Sequence, residues 1–180
     1  MMKFRLIVAA ALMMFALQNT DAQTLNAVKT FEFEIKAGTN YPLDSYVGKK
    51  CFGAAIGLEA RWNLRNLPLD LGAELAVSST CRRYNGEDLT DRIIGISFVC
   101  DYNINRGENV SPFVGLGLGN ASCEVLTGDY GTDADKVLFT PRVGVELWRH
   151  LRLTLESRIV REGFNNVGFT VGYVFGGGRK

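Results

Sequence analysis

Apolar residues fall on every second position in eight segments of the sequence, each about ten residues long. Successive side chains of a β-strand point to opposite faces, so a period of two gives each segment one apolar and one polar face. Clusters of turn-forming residues separate the segments. The pattern predicts an all-β chain of eight antiparallel strands in one domain. The segments lie at positions 31–40, 56–64, 69–79, 94–101, 113–122, 139–147, 153–159 and 167–175.

The first 22 residues have the three parts of a secretory signal peptide. Lys3 and Arg5 precede the continuous apolar run of positions 6–17, and Ala22 supplies the small residue that signal peptidase reads. A run of this length is too short for a membrane-spanning helix, which needs about 20 apolar residues. We therefore expect cleavage after Ala22, export of the chain, and a single mature domain at positions 23–180.

Removal of the signal peptide leaves 18 basic and 18 acidic residues, because it carries two of the 20 Lys and Arg and one of the 19 Asp and Glu. The mature chain is then formally neutral. Recognition of nucleic acid needs a basic face or stripe, so we expect no nucleic-acid partner. The spacing of the four Cys residues does not match a zinc site, and the sequence has only one His that could add a ligand. We therefore expect no cofactor and no metal ion.

The polar faces of the eight segments carry charges of both signs together with ten glycines. An eight-stranded barrel is just wide enough for side chains to fill it. Inside such a barrel the charges would pair into a plug, and the glycines would leave room for long side chains. The charged members of this face are Glu32, Glu34, Lys36, Glu59, Arg61, Asp70, Glu74, Asp101, Arg142, Glu146, Arg152, Glu156 and Arg158.

Alternation alone does not say which face is inside. A soluble lipocalin-like ligand-binding barrel buries its apolar face, whereas a barrel of the outer membrane turns that face to lipid. The signal peptide, the strand length and the glycines on the charged face all favour the transmembrane barrel. We keep the soluble exported barrel as the alternative.

Loop lengths give the predicted orientation. The connections after strands two, four and six are short, and those after strands one, three and five are longer, as in barrels with short periplasmic turns and longer outer loops. The connection after strand seven is also short and is the exception. Aromatic residues at the periplasmic strand ends fit an interfacial girdle, although strict alternation turns Trp148 inward. The girdle residues are Phe31, Phe33, Trp62, Tyr102, Trp148, Tyr173 and Phe175.

Four basic residues, Lys49, Lys50, Arg82 and Arg83, fall at the predicted outer rim. Lipopolysaccharide phosphates lie at that level, and basic side chains pair well with phosphate. The sequence thus offers a candidate lipopolysaccharide contact, with a solvated rim as the alternative. The only histidine, His150, falls in the turn after strand six, at the periplasmic end.

The exported chain has four cysteines, which suggests oxidation. Cys51 and Cys81 fall nearly opposite each other at the outer ends of strands two and three, so they are the first candidate for a disulfide. Strict alternation puts them on opposite faces, which requires irregular backbone at one of them. Pairing of either residue with Cys123 is the competing arrangement, and Cys100 lies in mid-strand facing lipid.

This chain resembles the small eight-stranded outer-membrane barrels typified by OmpA and OmpX, and its closing segment VGFTVGYVFGGG resembles the last strand of Bacteroidetes barrels. The resemblance implies a place in the outer membrane of a Gram-negative cell, in contact with outer-membrane lipid, lipopolysaccharide and the outer-membrane assembly machinery. It implies a structural or surface-recognition role, such as envelope integrity, adhesion or binding of an unspecified extracellular ligand by the loops.

Catalysis is not expected. A lipid-modifying barrel enzyme needs a nucleophile and a histidine base near the outer leaflet, and His150 falls at the opposite end. A narrow pore is a further alternative, but charge pairing in the lumen argues against a wide one, since large solute channels use 16 or more strands.

Overall fold

The computed structural model describes residues 29–44, 49–65, 67–84, 87–127, 130–160 and 164–176. The predicted signal peptide and its cleavage site lie outside these residues. Within them, no helix is long and apolar enough to span a membrane.

The described residues form nine antiparallel strands. In order around the sheet, β4, β3, β1, β9, β8, β7, β6 and β5 pair with one another, and β5 pairs again with β4, so that eight strands close into a barrel. The ninth, β2, pairs with β4 just beyond the end of β3. The strands are β1 (Phe31–Pro42), β2 (Lys49–Cys51), β3 (Gly53–Asn63), β4 (Leu69–Tyr84), β5 (Glu87–Asn103), β6 (Val110–Thr127), β7 (Tyr130–Leu147), β8 (Leu151–Val160) and β9 (Asn166–Phe175).

The strands are staggered around the barrel. We follow the directly paired residues from strand to strand, starting at Asn63 of β3. After one circuit of the barrel the path comes back to β3 at Gly53, ten positions from its start. Such a stagger requires the strands to tilt against the barrel axis, and tilted strands of about ten residues suit the thickness of a bilayer.

The apolar face of every barrel strand lies outside. Phe98 is 80% exposed and Ile96 62% exposed, whereas Arg61 and Glu156 are each 1% exposed. This arrangement would expose apolar surface to water in a soluble protein, so it suits an exterior that lipid covers. The predicted eight-stranded transmembrane barrel is confirmed, and the alternative of a soluble barrel with an apolar interior is wrong.

Four strands are longer than the sequence pattern predicts. β4, β5, β6 and β7 have 16 to 18 residues, whereas β8 and β9 have 10. The extra residues continue the β4–β5 and β6–β7 ladders into segments that the sequence assigns to outer loops. Beyond the bilayer the outward face has no need of apolar residues, so the pattern that marks the strands ends before the strands do. We call the end that carries these hairpins and β2 the outer rim.

A β-bulge separates β2 from β3. Cys51 pairs with Cys81 and Ala55 pairs with Ser78, so three residues on one strand face two on the other. The extra residue shifts the alternation of side chains by one position across Phe52. Residues before Phe52 therefore face the opposite way from what a continuous strand would give.

Candidate functional site: lumen and outer rim

Arg142 of β7 lies near the centre of the charged lumen. Its guanidinium donates two hydrogen bonds to Asp101, at 2.8 and 2.7 Å, and two to Glu59, at 2.7 and 2.8 Å. A further hydrogen bond reaches Glu74 at 3.2 Å. Bidentate arginine–carboxylate pairs are the strongest and most directional ion pairs in proteins. Arg142 thus joins β3, β4 and β5 across the lumen.

Two further cations share the same carboxylates. Arg61 donates to Glu34 at 2.9 Å and to Glu32 at 3.3 Å, and its Nη1 lies 3.5 Å from Oε1 of Glu59. The Lys36 ammonium lies 3.1 Å from Glu74 and 3.4 Å from Glu59. Because Glu59 and Glu74 also contact Arg142, these pairs form one connected network.

Arg152 and Arg158, both from β8, complete the network of the lumen. Arg152 donates to Asp101 and stacks over the ring of Phe113, with its guanidinium carbon 3.6 Å from the ring centroid. Arg158 forms an ion pair with Glu156. Among the thirteen charged residues that the sequence places on the polar face, all point inward, and Glu146 is the least buried.

Glycines on the inward face leave the space that these side chains occupy. A Cβ atom on Gly115 would lie 1.8 Å from a carboxylate oxygen of Asp101, and one on Gly172 would lie 2.0 Å from a carboxylate oxygen of Glu34. Either methyl group would displace a carboxylate from its arginine. The contacts between these carboxylates and their arginines therefore require glycine at both positions.

Both ends of the lumen hold buried residues that the sequence pattern did not place there. At the periplasmic end Arg106, from the β5–β6 turn, reaches back to Asp70 at 2.8 Å and donates to the carbonyl oxygens of Leu64 and Leu67. The cavity beside it is about 10 Å³, room for about one water molecule. Arg106 lies in a turn, where side chains do not alternate between two faces, so the sequence pattern does not show that it points into the lumen.

At the outer end an apolar cluster fills one side of the lumen. Its members are Ile93, Ala121, Cys123, Leu138 and Val160, with Phe164 packed against them. The five cluster members fall on inward positions of their strands, where most other residues are polar or small. An apolar residue on the polar face is the signal that could have revealed this cluster.

The four predicted rim residues lie on two adjacent cross-strand pairs. Lys49 is opposite Arg83, and Lys50 is opposite Arg82. Lys49 and Arg83 are exposed on the outward side. Lys50 donates to the carbonyl oxygen of Leu43 at 2.8 Å, and Arg82 forms an ion pair with the buried carboxylate of Asp91 at 2.5 Å. The structure thus brings the four residues together at one end of the β2–β4 ladder.

The bulge also places the cysteines. Cys51 and Cys81 are directly opposite each other on the outward side, whereas Cys123 is fully buried in the lumen and Cys100 is exposed outside in mid-strand. Both rim cysteines are thiols in the structure, so the disulfide between them stays a prediction.

Aromatic side chains cluster at the periplasmic end. Phe31 and Trp62 meet edge to face at 5.1 Å, and His150 stacks on Tyr173 at 5.7 Å while its Nδ1 lies 3.0 Å from the carbonyl oxygen of Val174. His150 therefore has a structural contact far from the outer rim. Trp148 has left β7 with a positive φ of 50° and is exposed, which resolves the conflict with strict alternation.

A closed eight-stranded barrel with an apolar exterior and a charged, filled interior defines an integral outer-membrane β-barrel protein. The sequence profile described as outer membrane protein beta-barrel domain matches residues 7–175. The chain belongs to this family, and it is a protein of the outer membrane. Comparison with curated proteins finds no match to the chain.

Solved structures with the same fold include three small barrels from Gram-negative bacteria. Neisserial surface protein A is 14% identical with a TM-score of 0.62, and the match covers 82% of this chain and 97% of that one. The N-terminal barrel of Pseudomonas aeruginosa OprF is 15% identical with a TM-score of 0.50, covering 82% and 98%. The Yersinia pestis attachment invasion locus protein Ail, solved with the heparin analogue sucrose octasulfate, is 15% identical with a TM-score of 0.51, covering 82% and 100%.

Proposed function

We propose that this protein is a non-enzymatic scaffold of the outer membrane whose outer rim binds phosphate or sulfate groups on surface glycolipids and glycans. One observation carries the proposal. The pairs Lys49–Arg83 and Lys50–Arg82 place four cationic side chains on two neighbouring rungs of the β2–β4 ladder. Like charges directly opposite each other repel across a sheet, and an anion bound beside these two pairs would relieve the repulsion.

The geometry of the rim supports binding of a multivalent anion. Lys49 and Arg83 point outward, toward the level of lipid headgroups, while the contacts of Lys50 and Arg82 fasten the ladder from the inner side. Arginine and lysine both bind phosphate and sulfate oxygens, arginine through two parallel hydrogen bonds. The sulfated ligand of Ail lends further support, as an analogy within the fold.

The lumen supports the role of a scaffold. Five of its cations each contact two or more carboxylates: Arg142, Arg61, Lys36, Arg152 and Arg158. A network of this kind fills the interior and makes the wall rigid. Rigid walls hold the rim residues at fixed spacing, which lowers the entropy lost on binding.

Binding of anions to purified, vesicle-reconstituted protein tests the proposal. One arm measures a soluble heparin oligosaccharide, and the other measures vesicles with and without lipopolysaccharide. We expect the variant K49E/R83E to bind at least one of these probes tenfold more weakly, and the binding of the unaltered protein to weaken steeply with salt.

A matched control carries the same charge change at the opposite end of the barrel. Lys29 and Arg65 are both exposed there, so K29E/R65E should bind as the unaltered protein does. Loss of heparin binding alone would identify an external glycan as the partner, and loss of lipopolysaccharide binding alone would identify the membrane's own lipid. Unchanged binding of both probes by K49E/R83E would overturn the proposal.

A further inference from the structure

We infer that Cys51 and Cys81 form a disulfide in the exported protein and that this bond fastens β2 to β4 at the outer rim. The two residues are paired directly across the ladder. Directly opposed residues of antiparallel strands have Cα atoms about 4.5 to 5.5 Å apart, within the range that a disulfide spans. This inference does not depend on the proposed function.

The bulge at Phe52 makes the pairing possible. If β3 continued through Phe52 with regular alternation, Cys51 would turn toward the lumen while Cys81 points outward. Gly53 also contributes to the bulge, because a Cβ atom there would lie 1.9 Å from the carbonyl oxygen of Ser79. Only glycine allows the two backbones to approach this closely, and the approach brings Cys51 into register with Cys81.

The remaining cysteines are poorly placed to compete. Cys123 is buried among Ile93, Leu138 and Val160 on the inward side of the wall. Cys100 faces outward but is paired with Leu71, ten residues along β4 from Cys81. At about 3.3 Å per residue this is roughly 33 Å away.

The bond would reinforce a weak element. β2 has three residue pairs with β4, whereas β4 and β5 pair over the full length of β4. In the oxidation each thiol loses one proton and one electron as the Sγ–Sγ bond forms, and the two electrons reduce the disulfide of an exported dithiol oxidant. Exported chains meet such oxidants in the periplasm.

Trypsin makes the connectivity directly readable, because cleavage after Lys and Arg puts the four cysteines in four peptides: 51–61, 66–82, 93–106 and 107–136. Full-length protein extracted from the outer membrane is unfolded by heat in denaturant, alkylated before reduction and then digested. We expect peptides 51–61 and 66–82 to be joined, to separate on reduction, and Cys100 and Cys123 to be alkylated.

Two serine variants test which cysteines form the linked pair. C51S should leave Cys81 open to alkylation, and the matched control C100S should keep the linked pair. Alkylation of all four cysteines, or a link that includes peptide 107–136, would overturn the inference.

Trypsin treatment of the membrane-embedded protein tests whether the disulfide holds β2 against β4. Tryptic cleavage after Lys49 and Lys50 should be several-fold faster in C51S/C81S than in the oxidised protein, and as fast as in protein treated with reductant. Equal rates in all three samples would show that the bond does not hold β2 in place.

Discussion

Arg142 illustrates why single residues of the lumen carry so much of the stability. Its guanidinium contacts Asp101, Glu59 and Glu74, all of which are buried. A buried ion pair contributes little net stability compared with well-packed apolar residues, but removal of one partner leaves charges that neither water nor protein compensates. The cost of a substitution here therefore comes from the carboxylates that remain.

We expect R142A to lower the free energy of unfolding by about 3–5 kcal/mol. The urea dependence of the electrophoretic shift between folded and heat-unfolded protein measures the change. R65A removes an exposed arginine from a periplasmic turn and should change the midpoint little. A midpoint for R142A equal to that of R65A would show that the network does not stabilise the barrel.

Gly115 and Gly117 form a matched pair of inward glycines on one strand. A Cβ atom on Gly115 meets Asp101 at 1.8 Å, whereas one on Gly117 has its nearest neighbour, the Cβ of Thr140, at 3.2 Å. We expect G115A to destabilise the protein by about 1–3 kcal/mol through overpacking, and G117A by clearly less. The same urea titration ranks the two variants, and the reverse order would contradict the geometry.

The partners of these residues could not be predicted from the sequence. Alternation shows that Arg142 points inward, because that depends only on its own strand. Its partner Glu59 lies 83 residues earlier in the chain, and their meeting depends on the stagger of the whole barrel. The sequence therefore indicates which charges share the lumen but not which of them pair.

At the scale of strands, the sequence shows the parts of each strand that cross the bilayer, because only there must the outward side chains be apolar. Inside the bilayer most outward positions are apolar, so the eight strands are visible as a period of two. The outer parts of β4 to β7 lie beyond this constraint, and the sequence assigns them to loops. The bulge at Phe52 is likewise invisible, although the conflict between Cys51 and Cys81 pointed to irregular backbone.

Deletion of Phe52 tests whether one extra residue accounts for the bulge. The deletion leaves two residues on each strand between the pairs Cys51–Cys81 and Ala55–Ser78, so regular pairing should keep Cys51 opposite Cys81 on the outward side. We expect the tryptic link between the two cysteines to persist and the folded barrel to shift on an unheated gel. F52A keeps both the residue count and the bulge and should keep the link as well, and a link lost on deletion alone would contradict this account.

For the molecule as a whole, a filled lumen has an electrical consequence. The charges of both signs occupy the interior, and the apolar cluster around Ile93 and Leu138 narrows its outer end. We expect the protein in a planar lipid bilayer to give no steady conductance like that of a large porin, since open aqueous channels need about 16 strands. Empty bilayers give the baseline, and a sustained large current would show that the lumen is open.

The distance in sequence between lumen partners also constrains the order of assembly. Glu59 lies on β3 and Arg142 on β7, so neither can reach the other until most of the wall has been built. A half-built wall would carry unpaired charges into the bilayer, at a cost of several kcal/mol each. Insertion should therefore be all-or-none, with water kept beside the charged face until the last strand closes the ring.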